Sequence, residues 1–402
     1  MAILQPSDEK ELQAAVEQAC AEGRALDVIG AGTKHALGRP TSVDDRLDLS
    51  GLAGVIDYEP AELVLTAKPA TRISEVETLL AEAGQALAFE PPDYSELLGS
   101  DHAGTLGGVI AANLSGPRRI KAGAARDHLL GFKGVTGHGR AFKSGGRVVK
   151  NVTGYDLSKL ITGSMGTLAA LSELSIKALP RPETTWTLAL RELDHRDATG
   201  IMIRAMASAH EVSGAAHLPA GMPAGLGFGN ASLTLIRLEG PAPSVDARFT
   251  ALRRELGGGD KLEDKGSLTL WKGVRDAAPM TGSAERAIWR LSVPPASGFL
   301  LAEAISAMLS DVTYYFDWAG GLIWLALPEE GDAGAAVIRA AIESTPGAAG
   351  GHATLIRASE ELRVNLSVYQ PQPKPLAALT KRVKDSFDPK RILNPGRMYE
   401  GV

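Results

Sequence analysis

Apolar residues recur along this chain in two rhythms, one of helices and one of strands. Near the start, Leu12, Ala15, Val16 and Ala19 fall on one helical face. Ser7 or Asp8 stands ahead as a cap and Gly23 near the end. A short apolar run at 25–29 predicts a strand that enters the glycine loop GAGTKHALG at 30–38. Residues 63–67 read as a buried strand, and Ile73, Val76, Leu79 and Leu80 predict a helix over 74–83. After the Pro91–Pro92 break, 102–116 reads as a helix opened by glycines. Residues 129–136 and 139–142 read as paired strands around a Gly137 turn. Next comes GGRVVKNVTGYDLSKLITGSMGTLAALSELSIKALP, residues 145–180, with a helical stretch at 155–161 and an apolar run at 168–176. Small residues stand at Gly145, Gly146, Gly154, Gly163, Ser164 and Gly166. Glycines so placed let a large flat ligand lie against the backbone.

The texture changes at Arg181–Pro182. Strand-like runs at 186–190, 232–238 and 322–327 alternate with helical runs at 199–209, 245–256, 298–309 and 335–342. This predicts an α+β domain with helices on one face of a sheet. The tail 383–399, ending FDPKRILNPGRMY, is too rich in Pro, Gly and charge for a core element and too apolar for a loose end. It reads as a strap that docks back on the first domain. The expected organisation is a first domain over 1–181, a second over 182–380 and a strap over 381–402.

A length of 402 residues agrees with two domains. With 44% hydrophobic residues and 22% charge the composition is that of a soluble globular protein, and a formal net charge of -5 gives no polyanion-binding signal. The first residues, MAILQPSDEKELQAAV, show neither a basic nor an apolar leader region, and no run of about 18 apolar residues occurs. Cys20 is the only cysteine, so this chain alone can hold no internal disulfide, multi-cysteine zinc site or iron–sulfur cluster. The expected location is cytoplasmic. Any electrons moving through the chain would have to leave by a partner or a diffusible acceptor.

Gly30 and Gly32 let backbone N–H groups turn inward as a nest for phosphate oxygens, with the Thr33 hydroxyl and Lys34 charge beside them. The loop is neither a Rossmann nor a Walker motif: His35 stands where a third glycine would be, and no Gly-Lys-Ser/Thr follows. Taken alone, a plain β-turn accounts for it. Thr105-Leu106-Gly107-Gly108 opens a helix of small residues ending at Asn113, which suits either tight helix packing or a flat ring. Residues 117–150 carry nine Arg and Lys with Asp127 as the only acid. Such a stretch is a solvated face or a lining for a pyrophosphate or carboxylate, and its scarcity of aromatics argues against single-stranded nucleic acid.

Taken in order, the glycine loop, TLGG, RDHLLG (126–131) and KNVTGYDLSKLITGSMGTL resemble the FAD-binding domain of the vanillyl-alcohol oxidase/PCMH flavoprotein superfamily. The resemblance covers roughly residues 4–180, and Phe387-Asp388-Pro389 with Asn394-Pro395-Gly396-Arg397 matches the superfamily's closing motif. VVKNVTGYDLSKL, WRLSVPP (289–295), GGLIWLAL (320–327) and GGHATLIRA (350–358) resemble the smaller FAD-binding subunits of bacterial glycolate oxidase complexes. The fold implied is α+β: a PCMH-type FAD-binding domain of two α+β subdomains, then a smaller α+β sheet domain and the strap.

The resemblance implies that Gly30, Ala31, Gly32, Thr33, Lys34 and His35 wrap the FAD pyrophosphate. It implies that Thr105, Gly107 and Gly108, with Asn113 nearby, lie beside the ADP-ribityl part. Lys150, Asn151, Gly154, Tyr155 and Asp156 would border the flavin, and Gly163, Gly166, Thr167 and Leu168 would let its ring and ribityl chain pass. Some superfamily members attach FAD through a histidine in the glycine loop. Thr33 holds that place here, so noncovalent FAD is expected.

Oxidising a 2-hydroxy acid needs a base for the hydroxyl proton, a hydride acceptor and a cation for the carboxylate. Larger catalytic hydroxy-acid dehydrogenases of the superfamily carry a His-rich C-terminal motif, and this chain has only His352 at the comparable place. The candidates are therefore His352 as base and Arg290 or Arg357 as carboxylate holder, against ordinary roles as a loop histidine and salt-bridging arginines. No closely spaced histidine pair occurs, and no metal site is expected. The resemblance implies a larger FAD-containing catalytic subunit and an iron–sulfur subunit as partners, a small 2-hydroxy acid as substrate, no nucleic acid, and contact with the inner membrane only through the complex. Three readings stand open: an obligate FAD-binding subunit of a glycolate (D-2-hydroxy acid) dehydrogenase complex, a self-sufficient FAD-dependent dehydrogenase, and a non-catalytic scaffold.

Overall fold

A computed structural model describes residues 1–147, 154–222, 230–282 and 285–402. The chain divides into two compact units. One comprises 1–115, 123–181 and 371–402; the other comprises 116–122 and 182–370. The expected boundaries differ from this at two places. Residues 116–122 belong to the second unit, because the Trp318 Nε1 donates to the Gly116 carbonyl at 3.1 Å and the Arg118 Nε to Glu239 at 2.9 Å. The returning segment begins at Pro371, and its first part is a helix, Lys374–Phe387, that the sequence reading merged into the second domain and strap.

In the first unit, helix Glu9–Glu22 starts where the Asp8 carboxylate accepts from the Glu11 N–H at 2.8 Å. It stops at Gly23, which takes the left-handed conformation that glycine alone adopts freely. Its apolar face packs on a three-stranded parallel sheet ordered Ile3–Leu4, Asp45–Asp48, Leu26–Ile29. The core joins Leu12, Val16, Leu26 and Leu47 to Val135 and Ala170 of the second sheet and to Ile392 and Leu393 of the tail. That second sheet is antiparallel, ordered Val55–Glu59, Val64–Ala67, Ala169–Lys177, Leu129–Thr136, Ala141–Gly145. Ala169–Lys177 lies third of five, buried on both faces, which is why its sequence reads as a near-continuous apolar run.

The tail completes this unit. Leu26 N–H donates to Ile392 O at 2.6 Å, and Asn394 N–H to Leu26 O at 3.0 Å. Gly137 is required because the tail passes over it: a Cβ there would sit 2.2 Å from the Asp388 carboxylate. Lys384 and Asp388 form a fully buried ion pair at 2.8 Å. The ammonium also donates to the Thr167 and Leu393 carbonyls, and Asp388 accepts from the Ile392 and Leu393 N–H groups. With these partners the buried charges are satisfied.

The second unit is an eight-stranded antiparallel sheet in the order Asp260–Leu262, Thr184–Arg191, Leu233–Gly240, Gly214–Leu218, Thr313–Asp317, Leu322–Pro328, Arg286–Ser292, His352–Arg357. Helices His195–Ala207, Ala242–Glu255, Gly298–Met308 and Ala335–Ser344 share one core with residues such as Leu188, Ile236, Trp289 and Leu325. This is the expected α+β layering, with one addition. Helix Asp264–Arg275 covers the opposite face, where Trp271 Nε1 donates to Thr187 Oγ1 at 2.8 Å and the Tyr315 hydroxyl to Val274 O at 3.0 Å. Among the described residues no helix is long and apolar enough to cross a membrane.

Candidate functional site

Strand Leu26–Ile29 delivers the chain into the glycine loop, where tight turns form: His35 N–H donates to Gly32 O and Leu37 N–H to Lys34 O. Facing it is helix Leu106–Ala111, shorter than the expected 102–116, with Thr105 as N-cap accepting from the Gly108 N–H at 3.3 Å. The third wall is residues 163–166, pinned to that helix by Gly163 N–H to Ile110 O and Met165 N–H to Ala111 O at 2.8 Å. Between them lie two adjoining hollows of about 530 and 460 Å³. The tail forms part of the rim: the Arg397 guanidinium donates to the carbonyls of Lys34 and His35 at 3.0 Å, and Asn394 links Val28 N–H to Met165 O.

The cleft admits little side chain. A Cβ on Gly30 would lie 2.9 Å from Thr105 Oγ1. On Gly104 (φ +96°) it would lie 2.4 Å from Thr33 Oγ1 and 2.7 Å from Lys34 Nζ, and on Gly107 2.8 Å from Pro69 O. Lys34 runs beneath the loop, donating to Ala103 O at 2.9 Å. Burial pulls its ammonium from the ordinary 10.5 down to about 8, against the opposing pull of Asp93. A nearly buried cation beneath a tight glycine loop, beside a bare-backbone wall, is chemically matched to a diphosphate carrying a flat, extended ligand.

Gly30, Ala31, Gly32, Thr33, Lys34, His35, Thr105, Gly107, Gly108 and Gly166 all line this cleft. Asn113, Gly163, Thr167 and Leu168 are not on its lining. They form the support behind it, with Gly163 packed on Asn113 and the Thr167 carbonyl held by Lys384. Gly154, Tyr155 and Asp156 line a separate, polar hollow with Asp127, Ser144 and Lys159. There Asp156 caps helix Leu157–Ile161 and pairs with Lys159 at 2.8 Å, while Tyr155 is 90% exposed. Lys150 and Asn151 lie outside the described residues. Sequence reasoning missed Asp27, Met165 and the apolar wall Leu49, Pro69, Ala169 and Leu171. Met165 carried one signal, a bulky residue between two small ones, and the structure gives it φ +53°.

In the second unit, His352 opens strand His352–Arg357 and pairs with Ser292, while Arg290 pairs with Thr354 on the neighbouring strand. The two side chains therefore start from neighbouring positions on adjacent strands. Partial enclosure holds the His352 imidazole below its ordinary range, and the nearby Arg290 and Arg119 guanidinium groups add to this. Arg357 stands five residues along the strand, roughly 16 Å away, and donates weakly to the Arg286 carbonyl at 3.4 Å. Among the described residues no group of three or more His, Cys, Asp or Glu is placed to hold a metal.

A family model described as an FAD binding domain matches residues 1–145. A solved 4-ethylphenol oxidase from Gulosibacter chungangensis, in an isoeugenol complex, superimposes with a TM-score of 0.68 at 14% identity, over 99% of this chain and 89% of that one, and so shares the fold. The family match and the cleft define an FAD-dependent oxidoreductase. The glycolate oxidase subunit GlcE of Escherichia coli (strain K12) is 34% identical over 386 residues, covering 96% of this chain and 95% of its own. The glycolate oxidase subunit GlcD of Bacillus subtilis (strain 168) is 32% identical over 46% of this chain and 38% of its own. The chain belongs to the glycolate oxidase GlcE subunit family.

Proposed function

We propose that this chain is the FAD-binding subunit of a glycolate (D-2-hydroxy acid) dehydrogenase complex that oxidises glycolate to glyoxylate and passes electrons to an iron–sulfur partner. The observation that carries this is the near-full-length identity to a glycolate oxidase subunit, joined to a cleft built for FAD. FAD supplies a hydride acceptor. The glycine loop and Lys34 would hold its diphosphate, and Thr105, Gly107 and Gly108 would lie along its extended part. Arg397 would fix the loop from behind. Thr33 offers no ring nitrogen for a covalent link, so the cofactor is held noncovalently.

The partners are a larger FAD-containing subunit and an iron–sulfur subunit. With Cys20 as its only cysteine, this chain can ligate no cluster by itself. The complex is placed in the cytoplasm, touching the inner membrane only through those partners. Anaerobic mixing of the purified chain with glycolate tests the reading. A yellow protein that stays oxidised alone but bleaches when its partners are added supports it. A second reading, a self-sufficient dehydrogenase, draws on the neighbouring positions of His352 and Arg290 on adjacent strands. It requires bleaching by the chain alone, lost in His352→Ala. A colourless protein would leave only a scaffold.

A further inference from the structure

Asp27 stands on the strand that runs into the glycine loop, and its side chain is only 4% exposed. Its place is fixed from several sides. The Leu26 N–H donates to Ile392 O, and the Val28 N–H donates to Asn394 Oδ1 at 2.7 Å. On the neighbouring strand Arg46 lies in parallel register with it. The Asp27 side chain lines the larger hollow of the cleft together with the loop residues 30–35.

Among the described residues this carboxylate accepts no hydrogen bond. Its ion pairs are loose, Arg46 Nε at 3.5 Å and His35 Nδ1 at 3.9 Å. The Arg46 Nε is itself buried without a hydrogen-bond partner. A carboxylate offers about four acceptor sites, and burying one that accepts nothing is costly. Such a group facing a cavity is matched to a ligand that brings its own donors.

FAD narrows the choice of donor. Phosphate oxygens only accept, so they are not what Asp27 meets. Asp27 precedes Gly30 by three residues, roughly 10 Å of extended chain. It therefore faces the groups that follow the diphosphate along the ligand, and on both sides of the FAD diphosphate these are hydroxyls. The adjoining hollow has no ionisable side chain on its lining and suits a ring instead. Lys34 and Arg397 line the Asp27 hollow and offset the carboxylate where it nears the phosphates.

We infer that Asp27 is a cofactor-binding residue whose carboxylate accepts hydrogen bonds from the sugar-type hydroxyls next to the FAD diphosphate. Those hydroxyls belong either to the ribose or to the ribityl chain. The inference deepens the FAD reading and rests on it for a diphosphate at the glycine loop.

The test titrates FAD into the full-length apoprotein and follows flavin fluorescence. Asp27→Asn keeps the shape but turns one acceptor oxygen into a donor, and FAD should bind about tenfold more weakly. The complementary change removes hydroxyls from the ligand: FAD with a 2′,3′-dideoxyribose, and FAD with a deoxygenated ribityl chain. One of these should lose about tenfold on the parent chain, which identifies the source of the hydroxyls. It should lose little more on Asp27→Asn, because both changes delete the same contact. The ligand series on the parent chain decides alone should the variant misfold. Unchanged or tighter FAD binding in Asp27→Asn, losses that simply add, or two deoxygenated ligands that bind like FAD would overturn the inference. Asp27 would then serve only as the cross-strand partner of Arg46. A parent chain that binds no FAD sinks the functional reading and this inference with it. FAD bound with no dependence on Asp27 sinks this inference alone.

Discussion

The two units are built around opposite kinds of group. The first presents backbone: the glycines at 30, 104, 107 and 108 strip side chains away, and Lys34 supplies one buried charge. The second presents side chains: Arg119 and Arg290 lie against the ring of Trp318, whose backbone is left-handed. A backbone cleft is shaped by whatever packs behind it, so its weak points lie in the supporting core. A side-chain cluster stands on a finished sheet and should tolerate loss of its charges without unfolding.

Lys384→Met tests the first half of that contrast most severely. It leaves the Asp388 carboxylate buried without its cation, beneath the wall that carries Thr167 and Leu393. A loss of about 3–5 kcal/mol is expected, read by denaturant melts together with flavin release. A variant that melts like the parent would mean that the tail is not what shapes the cleft. Next in size is Gly104→Val, which drives a Cβ into Thr33 and Lys34 at a positive φ. The strain is roughly 1–3 kcal/mol, or about 5- to 150-fold in FAD affinity if it falls wholly on the bound form, measured by fluorescence titration of the apoprotein.

The pH dependence of FAD binding is gentler and turns on Lys34. In the free chain its ammonium loses a proton near pH 8, well below the ordinary 10.5, because it is buried. A diphosphate beside Nζ restores the charge, so above pH 8 binding takes up a proton. Affinity should fall by up to about tenfold per pH unit through that range, and the slope should vanish in Lys34→Met. Before FAD binds, the buried charge costs stability below pH 8, and that cost disappears as pH rises toward 10.5. The smallest effect belongs to the second unit. Ala319→Gly relieves a left-handed alanine but deletes a methyl buried in the core and frees the unfolded chain, so the terms nearly cancel and the melt should move by less than about 1 kcal/mol. A loss of more than about 2 kcal/mol would show that burial outweighs the relief of strain.

The contrast also explains what could be read in advance. The helices Glu9–Glu22 and Ile73–Glu82 and strand Ala169–Lys177 were legible because each buries a face or a whole segment whose period is written in neighbouring residues. The strands Gly214–Leu218 and Thr313–Asp317 were not, since both are short and the bridge that joins them, His217 to Phe316, links distant parts of the chain. Helix Lys374–Phe387 was hidden by its charges, one of which, Lys384, turns inward only because Asp388 and two carbonyls receive it.

By itself the sequence determined the α+β class, the glycine loop and the small-residue helix, because glycine spacing and apolar period act over a few residues. It placed Gly154, Tyr155 and Asp156 with the cofactor group on the strength of one continuous motif, and the fold sets them around a polar hollow with Asp127, Ser144 and Lys159. Only the tertiary structure brought Asn394 and Arg397 to the glycine loop from more than 350 residues away, and Arg119 to Trp318 from nearly 200. Contacts across such separations depend on sheet order and on where the chain crosses between units, and local pattern carries no record of either.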